Sequence, residues 1–203
     1  LIYRISNFII NNFGYIKYMR TIIGITGASG SNFAVNLIEK CPSEKYLVAS
    51  KWGKRVMHEE LGLKFEELRS MVDNTFSDSD LASPFASGSN YFDSLIIIPC
   101  SISTLNKIAS GISDSLITRM AQVALKERRK LIIALRETPL DSITLENALK
   151  LSKAGAIVAP ISPGVYMGES SIKDMENTFS EKILSLIGVH PDKGWRTEKI
   201  KDE

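Results

Sequence analysis

The chain has 203 residues, 44% of them hydrophobic and 24% charged, and a net charge of +2. That length suits one domain with a substantial core, and so small a charge gives no ground for a nucleic-acid or membrane-surface partner. Its two cysteines, Cys41 and Cys100, follow neither a zinc nor a Cys-x-x-Cys spacing and read as reduced thiols of a cytoplasmic protein.

Residues 1–18 are apolar and aromatic but are interrupted by Arg4, Lys17, Asn7, Asn11 and Asn12. They are too short and too polar for a bilayer span and lack the pattern of a signal peptide. Met19 stands directly before the first strand pattern, so residues 1–18 are expected to be a leader outside the fold and 19–203 the domain. From there apolar runs alternate with helical patterns. Strands are expected at Thr21–Thr26, Tyr46–Ser50, Ser94–Pro99, Lys130–Leu135 and Ala156–Ala159. Helices are expected at Ser31–Lys40, Lys54–Leu61, Ser103–Ala109, Asp114–Arg128, Ser142–Lys153 and Ser171–Ile187, with 73–90 as an irregular excursion. Strands without clean polar alternation suit a parallel sheet covered on both faces. The alternation predicts a single α/β domain with a doubly wound parallel sheet, flavodoxin-like or Rossmann-like. In such folds ligands sit at the carboxyl ends of the strands.

Two loops at that edge have the chemistry of anion sites. Gly27-Ala28-Ser29-Gly30 follows the first strand; its glycines let backbone N–H groups approach a ligand, and Ser29 adds a hydroxyl. It is neither the dinucleotide fingerprint nor a Walker loop, and a plain tight turn is an equal reading. The second loop places Ser101, Ser103 and Thr104 at a helix start, where ordinary capping needs only one of them. Together the loops favour a phosphorylated, nucleotide-like ligand. Charges add candidates. Val56, Met57 and Leu61 mark a buried face, and Glu60 falls between Val56 and Met57 on the helical wheel. A carboxylate there must be paired or carry a raised pKa, as a structural ion pair or a working base does. Arg119 and Lys126, seven apart, share one face about 10 Å apart along the axis, as ligand groups or as a solvated stripe. Lys182 borders the apolar stripe of its helix and either snorkels or serves the site. Arg136 and Glu137 follow a strand, and Tyr166 ends the stiff segment 160–166.

Four segments, GITGASG, PCSISTL, TRMAQVALKERRKLIIALRETPL and AIVAPISPGVYMGESSIKDM, resemble in order the UbiX-type flavin prenyltransferases, over about Thr21 to Val189. The resemblance implies a homo-oligomer, often a dodecamer. It implies transfer of a dimethylallyl group from dimethylallyl monophosphate to N5 and C6 of reduced FMN, without a metal. The prenylated FMN would serve a UbiD-type decarboxylase. It further implies FMN contacts at Gly27, Ala28, Ser29, Ser50, Ser101, Ile102, Ser103, Thr104 and Arg136. Prenyl-phosphate contacts would fall on Arg119, Lys126, Glu137, Tyr166 and Lys182, with Trp195 covering the site from a neighbouring subunit. Catalysis would rest on Ser29, Glu60, Lys126 and Glu137, with Glu60 as the base and Ser29 as a proton relay. The cations are expected to form one pocket over the flavin. FMN-dependent cysteine decarboxylases are the nearest rival; they need an active-site histidine and a Pro-x-Met-Asn motif, where this chain has RETPL and PISPGVY. A non-catalytic flavin carrier and a direct aromatic acid decarboxylase also compete with the transferase reading.

Overall fold

A computed structural model describes residues 19–165 and 171–190. The strands are β1 (Arg20–Ile25), β2 (Glu44–Ala49), β3 (Asn74–Ser77), β4 (Ser94–Cys100), β5 (Lys130–Leu135) and β6 (Ile157–Val158). The helices are α1 (Ser31–Lys40), α2 (Lys51–Leu61), α3 (Ile102–Ala109), α4 (Leu116–Lys126), α5 (Ser142–Lys153) and α6 (Ile172–Ile187). The strands form one six-stranded sheet in the order β3-β2-β1-β4-β5-β6, and every pairing is parallel. The chain winds outward from β1 to β3, returns to β4 on the other side of β1, and winds outward again. The winding reverses between β1 and β4, and in open parallel sheets ligands bind at the carboxyl ends of the strands at such a reversal.

Alternate strand residues feed two cores, as the period of two requires. Ile22, Val48, Leu95, Ile97, Leu131 and Ile133 pack with Leu105 of α3, Leu116 and Met120 of α4 and Leu151 of α5. Ile23, Ile25, Leu47, Ile96, Ile98 and Ile132 pack with Leu37 of α1, Met57 of α2 and Phe179 and Ile183 of α6. All seven residues of β4 are buried. A large apolar side chain fully buried in this way stabilises the fold by about 1.5–3 kcal/mol.

All the expected elements are present, and the differences lie at their ends. Apolar periodicity locates a helix's buried face, whereas its start is set by the residue that caps it. The Ser50 hydroxyl accepts from Gly53 N–H, so α2 begins at Lys51 rather than Lys54. Ser101 accepts from Thr104 N–H and starts α3 at Ile102; Ser115 accepts from Thr118 N–H and starts α4 at Leu116. The expected continuation to Arg128 fails because Arg128 takes a left-handed backbone, φ 59°, which ends the helix. One strand departs from expectation: β3 lies inside 73–90 as a short edge strand of exposed and half-buried residues, too polar to show an apolar run.

Candidate active site

The carboxyl edge is built around β1 and β4. Thr26 follows β1, and its buried hydroxyl donates to the Pro99 carbonyl (2.9 Å) and accepts from Ser101 N–H (2.8 Å). It thereby fixes the Gly27–Gly30 loop against the loop that opens α3. Sequence patterns mark Thr26 only as a strand residue; the available signal is a hydroxyl placed between a run of isoleucines and a glycine turn.

Helix α2 crosses this edge. Gly53 lies so close to the end of β1 that a Cβ there would stand 2.5 Å from the Ile25 carbonyl oxygen, and only glycine permits the approach. A Cβ on Gly27 would meet the Cβ of Trp52 at 2.5 Å. The helix runs from the end of β2 to the start of α1, where the Glu60 carboxylate accepts from Gly30 N–H (3.0 Å) and Ser31 N–H (2.8 Å). Of the two conditions expected of Glu60, the structure shows pairing and not a raised pKa. Desolvation pushes its pKa up, but the Ser29 hydroxyl and the N–H groups of Ser31 and Gly30 outweigh that and hold the carboxyl below its ordinary value. The expected buried face also shifts: Met57 is buried, while Leu61 is 36% exposed.

A depressed folded-state pKa means that the contribution of these bonds is complete above the unfolded value, about 4.3. It is lost as pH falls through the lower folded value. Acid unfolding of the wild type should therefore steepen below about pH 4.3, and Glu60→Gln should flatten that limb, as read by circular dichroism. An unchanged acid limb in the variant would show that these bonds add nothing to stability.

The second loop carries hydroxyls and amides. Ser101 Oγ lies 3.1 Å from Thr104 Oγ1, and the N–H groups of Ile102 and Ser103 stand in the first helical turn, where no intrahelical acceptor exists. Beside them Cys100 is fully buried, and burial pushes its thiol far up, so it stays protonated and is no nucleophile. Arg136 and Glu137 leave β5 at the same edge: Arg136 N–H donates to the Cys100 carbonyl (3.0 Å), and the Glu137 carboxylate accepts from Thr138 N–H (3.0 Å). The carboxyl ends of β1, β2, β4 and β5 thus gather Gly27, Ala28, Ser29, Ser50, Glu60, Ser101, Ile102, Ser103, Thr104, Arg136 and Glu137. A donor-rich set that also holds the Glu60 and Glu137 carboxylates suits a ligand bearing phosphate and hydroxyl groups.

The expected single pocket of cations does not form within one chain. Arg119 is one turn into α4, its Nε donating to the Ala86 carbonyl (2.9 Å). Lys126 ends that helix beside the start of β5, at the amino edge of the sheet, and pairs with Glu127 at 2.5 Å. Lys182 lies on α6 next to Glu181, which pairs with Lys40 at the far end of α1, also toward the amino edge. Six-residue strands separate the two edges by roughly 20 Å. The sequence places residues on helix faces but does not say at which end of the sheet a helix terminates. Tyr166 and Trp195 lie outside the described residues, as does the expected leader 1–18. Among the described residues no helix is long and apolar enough to cross a membrane.

Comparison with known proteins agrees with this fold. The Flavoprotein family model matches residues 14–187. The flavin prenyltransferase UbiX of Thermoplasma acidophilum is 47% identical over 175 residues, covering 86% of this chain and 97% of that protein. The crystal structure of AnUbiX (PadA1) in complex with FMN and dimethylallyl pyrophosphate superposes with a TM-score of 0.84 at 34% identity, covering 88% of this chain and 100% of the other. A dodecameric FMN-dependent UbiX-like decarboxylase from Escherichia coli O157:H7 gives 0.84 and 34%, covering 87% and 99%. The chain belongs to the flavoprotein family, among the flavin prenyltransferases of the UbiX type.

Proposed function

We propose that the protein transfers a dimethylallyl group from dimethylallyl monophosphate to N5 and C6 of reduced FMN, and that the prenylated FMN goes to a UbiD-type decarboxylase. The observation that carries this reading is the Glu60 carboxylate, held ionised on the Gly30 and Ser31 N–H groups beside a second, hydroxyl-rich loop. Gly27, Ala28, Ser29, Ser50, Ser101, Ile102, Ser103, Thr104 and Arg136 would hold the FMN. When bound, reduced flavin supplies a nucleophilic nitrogen and an electron-rich ring face. Glu60 would take the proton lost at the acceptor ring, and Ser29, whose hydroxyl helps to lower the pKa of that carboxyl, would relay it to the phosphate. Breaking the allylic C–O bond leaves the electron pair on phosphate, which needs cations preorganised around its oxygens. Arg119, Lys126, Tyr166 and Lys182 serve there, with Glu137 beside them.

Lys126 and Lys182 stand a sheet's length from Glu60 in one chain, so a neighbouring copy supplies them, and the assembly is a homo-oligomer, a dodecamer on this reading. Trp195 covers the site from a neighbour in the same way. The free, buried thiols of Cys41 and Cys100 fit a reducing, cytoplasmic setting. The test is anaerobic incubation of the purified protein with reduced FMN and dimethylallyl monophosphate, then mass spectrometry of the extracted flavin. A prenyl-sized mass gain is expected. Unchanged flavin would leave only a carrier, and CO₂ released from an added aromatic acid would indicate a decarboxylase.

A further inference from the structure

The segment between β3 and β4 has no part in the function described so far, yet it touches the cationic face of α4 along its length. Pro84–Ala86 forms a 3-10 turn whose Phe85 and Ala86 are buried in the core beneath α4. The Ala86 carbonyl takes the Arg119 guanidinium. One step on, Gly88 lies against the Lys126–Glu127 pair: a Cβ there would stand 2.8 Å from Lys126 Nζ and would collide with the Glu127 carboxylate. Arg129 pins the same stretch from the far side. Its Nη2 donates to the Gly88 carbonyl (2.6 Å) and its Nη1 to the Asn90 carbonyl (2.9 Å), with the guanidinium 4.6 Å above the Phe92 ring and 5.2 Å above that of Tyr91.

We infer that the segment Ala86–Asn90 is a positioning rail for the phosphate-binding cations: Gly88 sets where the Lys126 ammonium stands, and Glu127 screens its charge until a phosphate arrives. This rests on the reading that Lys126 serves the prenyl phosphate. Lys126 is on a long, flexible side chain, so the anion site it serves depends on what holds its ammonium in place. Glu127 is a fixed anion that a dianionic phosphate must out-compete for the same ammonium.

Gly88→Ala should raise the KM for dimethylallyl monophosphate about tenfold, with FMN affinity by fluorescence titration and assembly size by light scattering unchanged. On a Lys126→Ala background it should add nothing, since residues acting through one another do not add. Glu127→Gln, which leaves the loop untouched, should lower the donor KM severalfold, and that gain should vanish when Lys126 is alanine. An unchanged KM in Gly88→Ala, a KM loss that tracks loss of FMN affinity or assembly, full additivity with Lys126→Ala, or a raised KM in Glu127→Gln would each overturn the inference. If Lys126→Ala were itself without effect, the reading beneath would fall too; if it were impaired while Gly88→Ala was normal, only the rail would fall.

Discussion

Glu60→Gln is expected to slow prenyl transfer by about 10²–10⁴-fold, the range a positioned proton acceptor contributes. Glutamine keeps the side chain's length and shape, but its neutral amide is not basic enough to take the proton lost in the reaction, and its NH2 group donates where the carboxylate accepts from Gly30 and Ser31 N–H. The change should appear in the single-turnover rate rather than in the donor KM, because Glu60 bonds to Gly30 and Ser31 and not to the phosphate cations, which are unaltered. Depression of the Glu60 pKa by Ser29, Ser31 and Gly30 also means that the wild type keeps its base ionised throughout the neutral range. Its activity should therefore show no acid limb from this group above about pH 4.3. Anaerobic quench experiments with mass analysis of the flavin measure this directly. A Glu60→Gln protein turning over at the wild-type rate would remove Glu60 from the chemistry.

Lys126→Ala is expected to cost kcat/KM for the prenyl donor about 10²–10³-fold, the usual loss when one preorganised charge partner of a developing anion is removed. FMN affinity should stay as in the wild type, because the groups that would hold FMN lie on the loops of Gly27 and Ser101 and do not include Lys126. Lys126→Arg should recover only part of the activity; it restores the charge, but its planar fork cannot copy a compact ammonium packed over Gly88. Steady-state kinetics with each variant, paired with flavin titrations, separate the two effects. Loss of FMN binding in Lys126→Ala would place the lysine in the wrong half of the site.

These two residues also show what a sequence can and cannot convey. The sheet is legible because its strands are unbroken Ile, Leu and Val runs such as Ser94–Cys100, which no amphipathic helix resembles. The two loops are legible because parallel strands put their carboxyl ends on one edge. Glu60 stands out for a reason only half correct. The helical wheel gives a carboxylate between Val56 and Met57, but its counterpart is a pair of backbone N–H groups at another helix, which side-chain patterns do not encode. Thr26 escapes notice because its bridging role depends on a carbonyl 73 residues away. The convergence of Arg119, Lys126 and Lys182 fails within one chain because heptad spacing fixes a face and not an end. Helix α4 runs from the carboxyl edge, where the Asp78 carboxylate accepts from Ile117 N–H, to the amino edge at Arg129, and this carries Lys126 away from Glu60.

The separation of the two half-sites makes the most direct test a mixing experiment. Glu60→Ala and Lys126→Ala proteins, each severely impaired alone, are co-expressed with different tags and the doubly tagged assemblies are isolated and assayed. Random assortment in a symmetric assembly gives about a quarter of the sites an intact Glu60 from one chain and an intact Lys126 from another. Recovery of roughly that share of wild-type prenylated flavin is the predicted result. Mixed assemblies as impaired as either parent would contradict it, because both groups would then have to come from the same chain.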